Sequence, residues 1–281
     1  PTQYYKLQQL FKRGYNRANQ RNYGNRRCIR TKERSGVCVN YFEYNGIRSS
    51  DMGVKISSKN IFSAPKFDLA FQSIPGRDGE LINSNNRFPN TTVSYTCFIP
   101  AKSIAELSEK VTLVKAWLYT EPDRYHTLSD SYDTLFFRRA VFNNKLDIQD
   151  QLNKIGTFTV NFSCHPMRFS YDGQATTTIS SSGATLTNPY PFVAKPYLKI
   201  YGAGKATLTV QASSYNATWN FSALDSYTEC DSELMNFYKG TKSKNDKVSG
   251  SGFPCLQPGK NTISYTGGVT KIEIIPRWVM I

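Results

Sequence analysis

The end of the chain restricts the fold most. Pro258-Gly259 interrupts the sequence, Thr262-Ile263-Ser264-Tyr265 follows, and Gly267-Gly268 interrupts it again. After that, Lys271, Glu273 and Ile275 alternate with Ile272 and Ile274. Proline fixes φ and glycine accepts positive φ, so Pro258-Gly259 predicts a turn. Gly267-Gly268 predicts a primed hairpin turn between two strands. A period of two gives a strand two unlike faces. A hairpin of this kind closes a β-sandwich.

The same period recurs upstream. Tyr41-Phe42-Glu43-Tyr44 runs into Asn45-Gly46, a strong hairpin signal. Phe67 to Phe71 alternates before a loop, Pro75-Gly76-Arg77-Asp78-Gly79, and Val93, Tyr95, Cys97 and Ile99 alternate with polar partners. Thr134 to Phe142 predicts a strand, Asn143-Asn144 a turn, and Lys145 to Gln149 another strand, followed by one over 155–164. One helix stands apart. Ser103-Ile104-Ala105-Glu106 fits a capping box, and Ile104, Leu107, Val111, Val114 and Leu118 form one apolar face, widened by Trp117. Glu121-Pro122 ends it. Residues 171–190, rich in Thr, Ser, Gly and Asn, predict a linker or a loose hairpin at a domain boundary. Tyr197 to Tyr201, Gly202-Ala203-Gly204 and Lys205 to Val210 predict a further hairpin. With 281 residues, two cores are possible. The expected fold is mainly β: an N-terminal β-sandwich over residues 39–172 with one covering helix, a linker over 173–190, and a second β-sandwich over 191–281.

The net charge of +14 points toward nucleic acid until its distribution is considered. Residues 1–36 hold ten Lys/Arg and one acid, so +9 lies there and the rest of the chain carries only +5. Residues 1–38 therefore read as a basic extension, either a disordered segment or an arm for nucleic acid or an acidic partner. A third reading is a misplaced start. Lys32-Glu33 is encodable as a ribosome-binding sequence, with translation then beginning at Val37 or Val39. The six cysteines show no metal-ligand spacing and read as reduced, buried thiols. No run of apolar residues approaches a membrane span.

Chemistry is sparse. The two histidines, His126 and His165, offer no triad; Cys164 and His165 are adjacent, so a strand points them to opposite faces. Gly202-Ala203-Gly204-Lys205 lacks the spacing and the Ser/Thr of a phosphate loop. Asp130 and Asp133, or Asp225, Glu229 and Asp231, lack the spacing of a calcium loop. No catalytic group, cofactor or metal is expected. Tyr215, Trp219 and Tyr227 share one segment and are candidates for sugar stacking, with core packing as the alternative.

From Tyr41 to the end the chain resembles the distal tail proteins of siphophages that infect Gram-positive bacteria. The resemblance is carried by Phe42-Glu43-Tyr44-Asn45-Gly46, Ile74-Pro75-Gly76-Arg77-Asp78-Gly79, Val114-Lys115-Ala116-Trp117-Leu118, Phe137-Arg138-Arg139-Ala140-Val141-Phe142, Leu256-Gln257-Pro258-Gly259-Lys260-Asn261 and Ile275-Pro276-Arg277-Trp278. It implies a structural protein of the virion tail tip, assembled in the host cytoplasm. Its N-terminal domain would bear an extended hairpin, and its C-terminal sandwich would be galectin-like. Six N-terminal domains would close into a homohexameric ring between the tail tube protein and the tail-associated tip or lysin protein. DNA would pass through the lumen without specific binding, and a receptor-binding protein would dock at the periphery. In that picture Ile74, Pro75, Gly76, Arg77, Asp78, Gly79, Asn143 and Asn144 are candidate subunit contacts. The alternative function is a carbohydrate-binding sandwich for attachment to the host surface.

Overall fold

The computed structural model describes residues 40–281, so the basic extension and the proposed start at Val37 or Val39 lie outside the described residues. The protein is mostly β, with a single α-helix among the described residues. It divides into two compact units, one ending at Arg168 and the other spanning Phe169–Met280.

The first unit is built on an antiparallel sheet. Its strands are β1 (Phe42–Tyr44), β2 (Ile47–Arg48), β3 (Lys55–Asn60), β6 (Thr91–Pro100), β7 (His126–Asp130), β8 (Phe136–Val141) and β10 (Ile155–Cys164), in the order β2-β1-β7-β8-β10-β6-β3. Asn45 and Gly46 both have positive φ and join β1 to β2, as the Asn-Gly signal predicts. Along β6 the side chains of Val93, Tyr95, Cys97 and Ile99 are buried, and β10 buries Phe158, Val160, Phe162 and Cys164. Helix α1 (Ile104–Leu118) packs Leu107, Val114, Trp117 and Leu118 into the same core. Ser103 caps it by accepting from the Glu106 amide at 3.3 Å, while the Glu106 carboxylate reaches past the cap to the Lys102 amide at 2.8 Å. Trp117 anchors the helix on the sheet. Its ring stacks on Phe42 at 5.6 Å and its indole N–H donates to the Tyr44 carbonyl at 3.0 Å. The strand expected over Lys145 to Gln149 is absent. Leu146 and Ile148 instead enter the core from an irregular segment, and pairing resumes only at β9 (Gln149–Gln151).

The second unit centres on three long strands, β14 (Tyr197–Ala212), β15 (Tyr215–Asp231) and β19 (Gly259–Ile275). The two-residue connection Ser213-Ser214 joins β14 to β15, since Ala212 pairs with Tyr215. Two expected hairpin turns turn out to lie inside strands. β14 continues through Gly202-Ala203-Gly204, and β19 continues through Gly267-Gly268. There the pairing register shifts, from Tyr201 opposite Lys271 to Gly202 opposite Val269, and then to Ala206 opposite Gly267. These glycines mark bulges, where an extra residue leaves the ladder and the strand bends. The expected linker is a further correction. Within 173–190 lie β12 (Thr177–Ile179) and β13 (Ala184–Asn188), and both pair with β19. Their polar composition matches strands with exposed positions as well as it matches a tether.

Candidate assembly surfaces

Between β3 and β6 the chain leaves the first core and forms a separate two-stranded hairpin, β4 (Leu69–Ser73) and β5 (Glu80–Ser84). Its root is clasped. Asp68 accepts from the Arg87 guanidinium at 2.7 Å and from the Asn85 side chain at 3.1 Å, and Phe67 meets Phe88 edge to face at 4.7 Å. Those contacts hold the Asp68 carboxyl below the usual carboxylate range, the Arg87 hydrogen bond being the main cause. Beyond the root the hairpin has no core of its own. Phe71 and Ile82 pair across the strands, and both are exposed, at 56% and 58%. Ile74 and Leu81 are exposed as well.

The sequence-predicted contact loop Ile74, Pro75, Gly76, Arg77, Asp78, Gly79 forms the tip of this hairpin. The Arg77 amide donates to the Ile74 carbonyl at 3.2 Å, and Gly76 and Gly79 supply the positive φ. Every residue of the tip is exposed, and Arg77 and Asp78 make no ion pair among the described residues. Asn143 and Asn144 follow β8 and are exposed. Asn144 is pinned, its amide donating to the Asn161 carbonyl and its carbonyl accepting from the Tyr119 hydroxyl.

The sugar-stacking candidates do not form a shared platform. Trp219 is fully buried, its N–H donating to the Gly252 carbonyl at 2.9 Å, and a Cβ at Gly250 would lie 2.5 Å from its ring. This overturns the expectation that Trp219 stacks on a ligand; the absence of a side chain at Gly250 makes room for its ring. Tyr215 is half-buried against the same core. Tyr227 lies 6.2 Å from Tyr201, with the Lys199 ammonium 4.3 Å from its ring.

The polar groups weighed as catalytic serve the fold. His126 Nε2 sits 3.0 Å from the Glu121 carbonyl oxygen, and its ring meets Tyr44 edge to face. Asp130 accepts from the Tyr95 hydroxyl at 2.8 Å and from two backbone amides, and Asp133 pairs with Arg168 at 2.8 Å. Asp225 pairs with Lys239, Glu229 accepts from the Tyr197 hydroxyl, and Asp231 takes a bidentate grip from Arg277, both bonds at 2.8 Å. Among the described residues, no group of His, Cys, Asp and Glu is arranged to hold a metal ion. Burial pushes the thiols of Cys97, Cys164 and Cys230 up to about 12. No helix among the described residues is long and apolar enough to cross a membrane.

Two residues in the terminal motifs do structural work that spacing alone does not reveal. Asn261 is fully buried. Its Oδ1 accepts from the Gln257 amide and its Nδ2 donates to the Gln257 and Gly259 carbonyls, closing the Pro258-Gly259 turn. Arg277 adopts φ 54°, and Trp278 then packs over Gly173, where a Cβ would lie 2.4 Å from the Trp278 nitrogen. The only prior signal for either is a polar residue set among turn-formers.

Residues 45–164 match the family model of the phage tail protein RIFT-related domain. No curated protein matches the chain by sequence. Among solved structures, the chain is similar to the Dit protein of phage SPP1, described as a paradigm of the hub adsorption apparatus in phages infecting Gram-positive bacteria. The TM-score is 0.69 at 12% identity, over 87% of this chain and 100% of that one. Two structures of the phage P2 baseplate in its activated conformation are more remote. Their TM-scores are 0.43 and 0.44 at 8% and 9% identity, over 84% of this chain and 97% and 98% of theirs. Residues 45–164 are thus similar to the phage tail protein RIFT-related domain, and over most of its length the chain shares the fold of the SPP1 Dit protein.

Proposed function

We propose that the protein is a structural component of a siphophage tail tip, and that copies of its first unit close into a six-membered ring. In this reading the ring joins the tail tube protein on one side to the tail-associated tip protein on the other. DNA passes through its lumen, and the second unit faces the baseplate periphery and its receptor-binding proteins. The virion tail tip is then its site of action, after assembly in the host cytoplasm.

The β4–β5 hairpin is the observation that carries this reading. An isolated two-stranded hairpin is marginal in water, and exposed apolar pairs on a strand invite association. A hairpin held rigidly at its root and bare along its length is therefore an arm that another chain must cover. If the same surfaces meet head to tail, each copy both offers an arm and receives one, and the arrangement closes when the rotation divides a full turn.

Mass photometry of the protein across concentrations tests this, with tail tube and tip proteins added in turn. Phe71→Ser with Ile82→Ser alters exposed side chains only, so the monomer keeps its thermal transition while the ring mass disappears. Arg77→Glu at the tip weakens the ring less. A ring that forms unchanged in the double variant overturns the role given to the hairpin. A chain that stays monomeric with every partner overturns the function.

A further inference from the structure

The bulge in the second unit does more than bend strands. Between Gly204 and Ala206 the residue facing β14 jumps from Leu224 to Phe221, so Lys205 on one strand and Ser222 and Ala223 on the other leave the ladder together. A bulge re-aims the side chain it releases. Here it opens a groove of about 490 Å³ between the bulge and the segment around β18 (Val248–Gly250), lined among others by Lys205, Thr207, Asn220, Ser222, Asp246 and Lys247. That volume lies within the range of small-ligand sites.

The lining is rich in donors and poor in carboxylates. Lys205 is exposed and has no ion-pair partner among the described residues. Lys247 pairs with Asp246, the single acid among the described lining residues, at 3.0 Å. The Thr207 hydroxyl donates to Asn220 Oδ1 at 3.0 Å, which fixes the amide and leaves its NH₂ without a partner among the described residues. Ser222 donates to the Lys247 carbonyl at 3.1 Å and braces the far wall. The groove continues onto a face of uncharged hydroxyls, where the Thr209 and Thr218 hydroxyls lie 3.1 Å apart and Ser264 pairs alongside Thr209. One free cation, one oriented amide donor and a neutral hydroxyl strip suit a ligand that is acceptor-rich, hydroxylated and negatively charged.

We propose that this groove binds an anionic glycan, with a sugar carboxylate or phosphate at Lys205 Nζ and neighbouring sugar hydroxyls along Thr207 and Asn220. The site shares no residue with the Tyr215, Trp219 and Tyr227 cluster. It also goes beyond the ring reading, since it lies within the second unit and its failure would leave hairpin-driven assembly untouched.

Calorimetric titration of the full chain with three probes tests the proposal: tetragalacturonate, its neutral methyl ester, and a mannose 6-phosphate oligosaccharide. At least one anionic probe is expected to saturate with about tenfold higher affinity than the ester, the order expected of a charge-assisted hydrogen bond. Lys205→Gln brings that probe down to the level of the ester, and Asn220→Asp, which places a like charge in the groove, abolishes it. Both positions are exposed, so folding is preserved. The preferred anion identifies which charged group the site reads. The proposal is overturned if the ester binds as well as the acids, if neither anion saturates at millimolar concentration, or if Lys205→Gln leaves binding unchanged. The last result would assign the attraction to the basic residues 1–36.

Discussion

Around Gly76 and Gly79, at the tip of the exposed hairpin, an added Cβ would meet nothing within 4 Å; at Gly268, inside β19, it would stand 1.6 Å from the Ala203 carbonyl oxygen. Gly202 faces the same obstruction from the other strand, 2.2 Å from the Gly268 carbonyl oxygen. In the hairpin tip, glycine is present for its backbone freedom, since both residues sit at positive φ. In the bent strands it is present because two backbones approach too closely for any side chain. A third solution appears at Arg277, which holds φ 54° without being glycine while its guanidinium makes a bidentate pair with Asp231. The same chain therefore makes bends in three ways, and only one of them leaves its surroundings free to move.

The sharpest way to break this comparison is Gly268→Ala. The methyl group would have to displace a backbone carbonyl between two long strands. A loss of roughly 4 kcal/mol or more is expected, at the upper end of single-residue effects. Thermal unfolding should show the transition of the second unit falling well below that of the first. A variant that melts with the wild type would mean the strands separate easily at the bulge, and the distinction between the two kinds of glycine would collapse.

Asp231→Asn sharpens the comparison at the Arg277 bend. Burial pushes the Asp231 carboxyl up, but Arg277 and the amides of Leu234 and Glu233 outweigh that and hold it below its ordinary value. A carboxyl depressed in the folded state adds stability above its unfolded value, about 3.9, and that contribution is lost as pH falls through the lower native value. The substitution should therefore cost about 2 kcal/mol at pH 7 and less at pH 2, because below the unfolded value the wild type progressively loses the same contribution. Denaturant melts at the two pH values measure it. An equal loss at both would show that the carboxylate charge contributes nothing to the bend.

Legibility from sequence followed the same division. Where a feature is local, its signal held: the Ser103 cap, the Asn45-Gly46 turn, the alternation of Val93, Tyr95, Cys97 and Ile99, and the exposed loop from Ile74 to Gly79. Where it depends on what lies opposite, the signal failed. Gly267-Gly268 and Gly202-Ala203-Gly204 read as turns because glycine pairs carry the same mark in a turn and in a bulge; only the facing strand separates the two. Trp219 read as a candidate platform because nothing in its own segment records that Gly250 makes room for its ring. The groove at Lys205 was hidden for the same reason, since β14, β15, β18 and β19 meet there from positions far apart in sequence.

The smallest effect is expected at the hairpin tip. Gly76→Ala introduces no clash, only a non-glycine residue at φ 79°, which costs about 1 kcal/mol locally. Because the hairpin shares no core with the sheet it leaves, that strain should not reach the thermal transition of the first unit. It should instead appear as faster hydrogen exchange of the Arg77 amide, whose bond to the Ile74 carbonyl closes the turn. In an assembled ring the same amide should be protected again, since a covered arm is held from outside as well as from its root. Melting of the first unit together with the tip would show that the hairpin is part of the folded core. Glycine at position 76 would then be no freer than glycine at position 268.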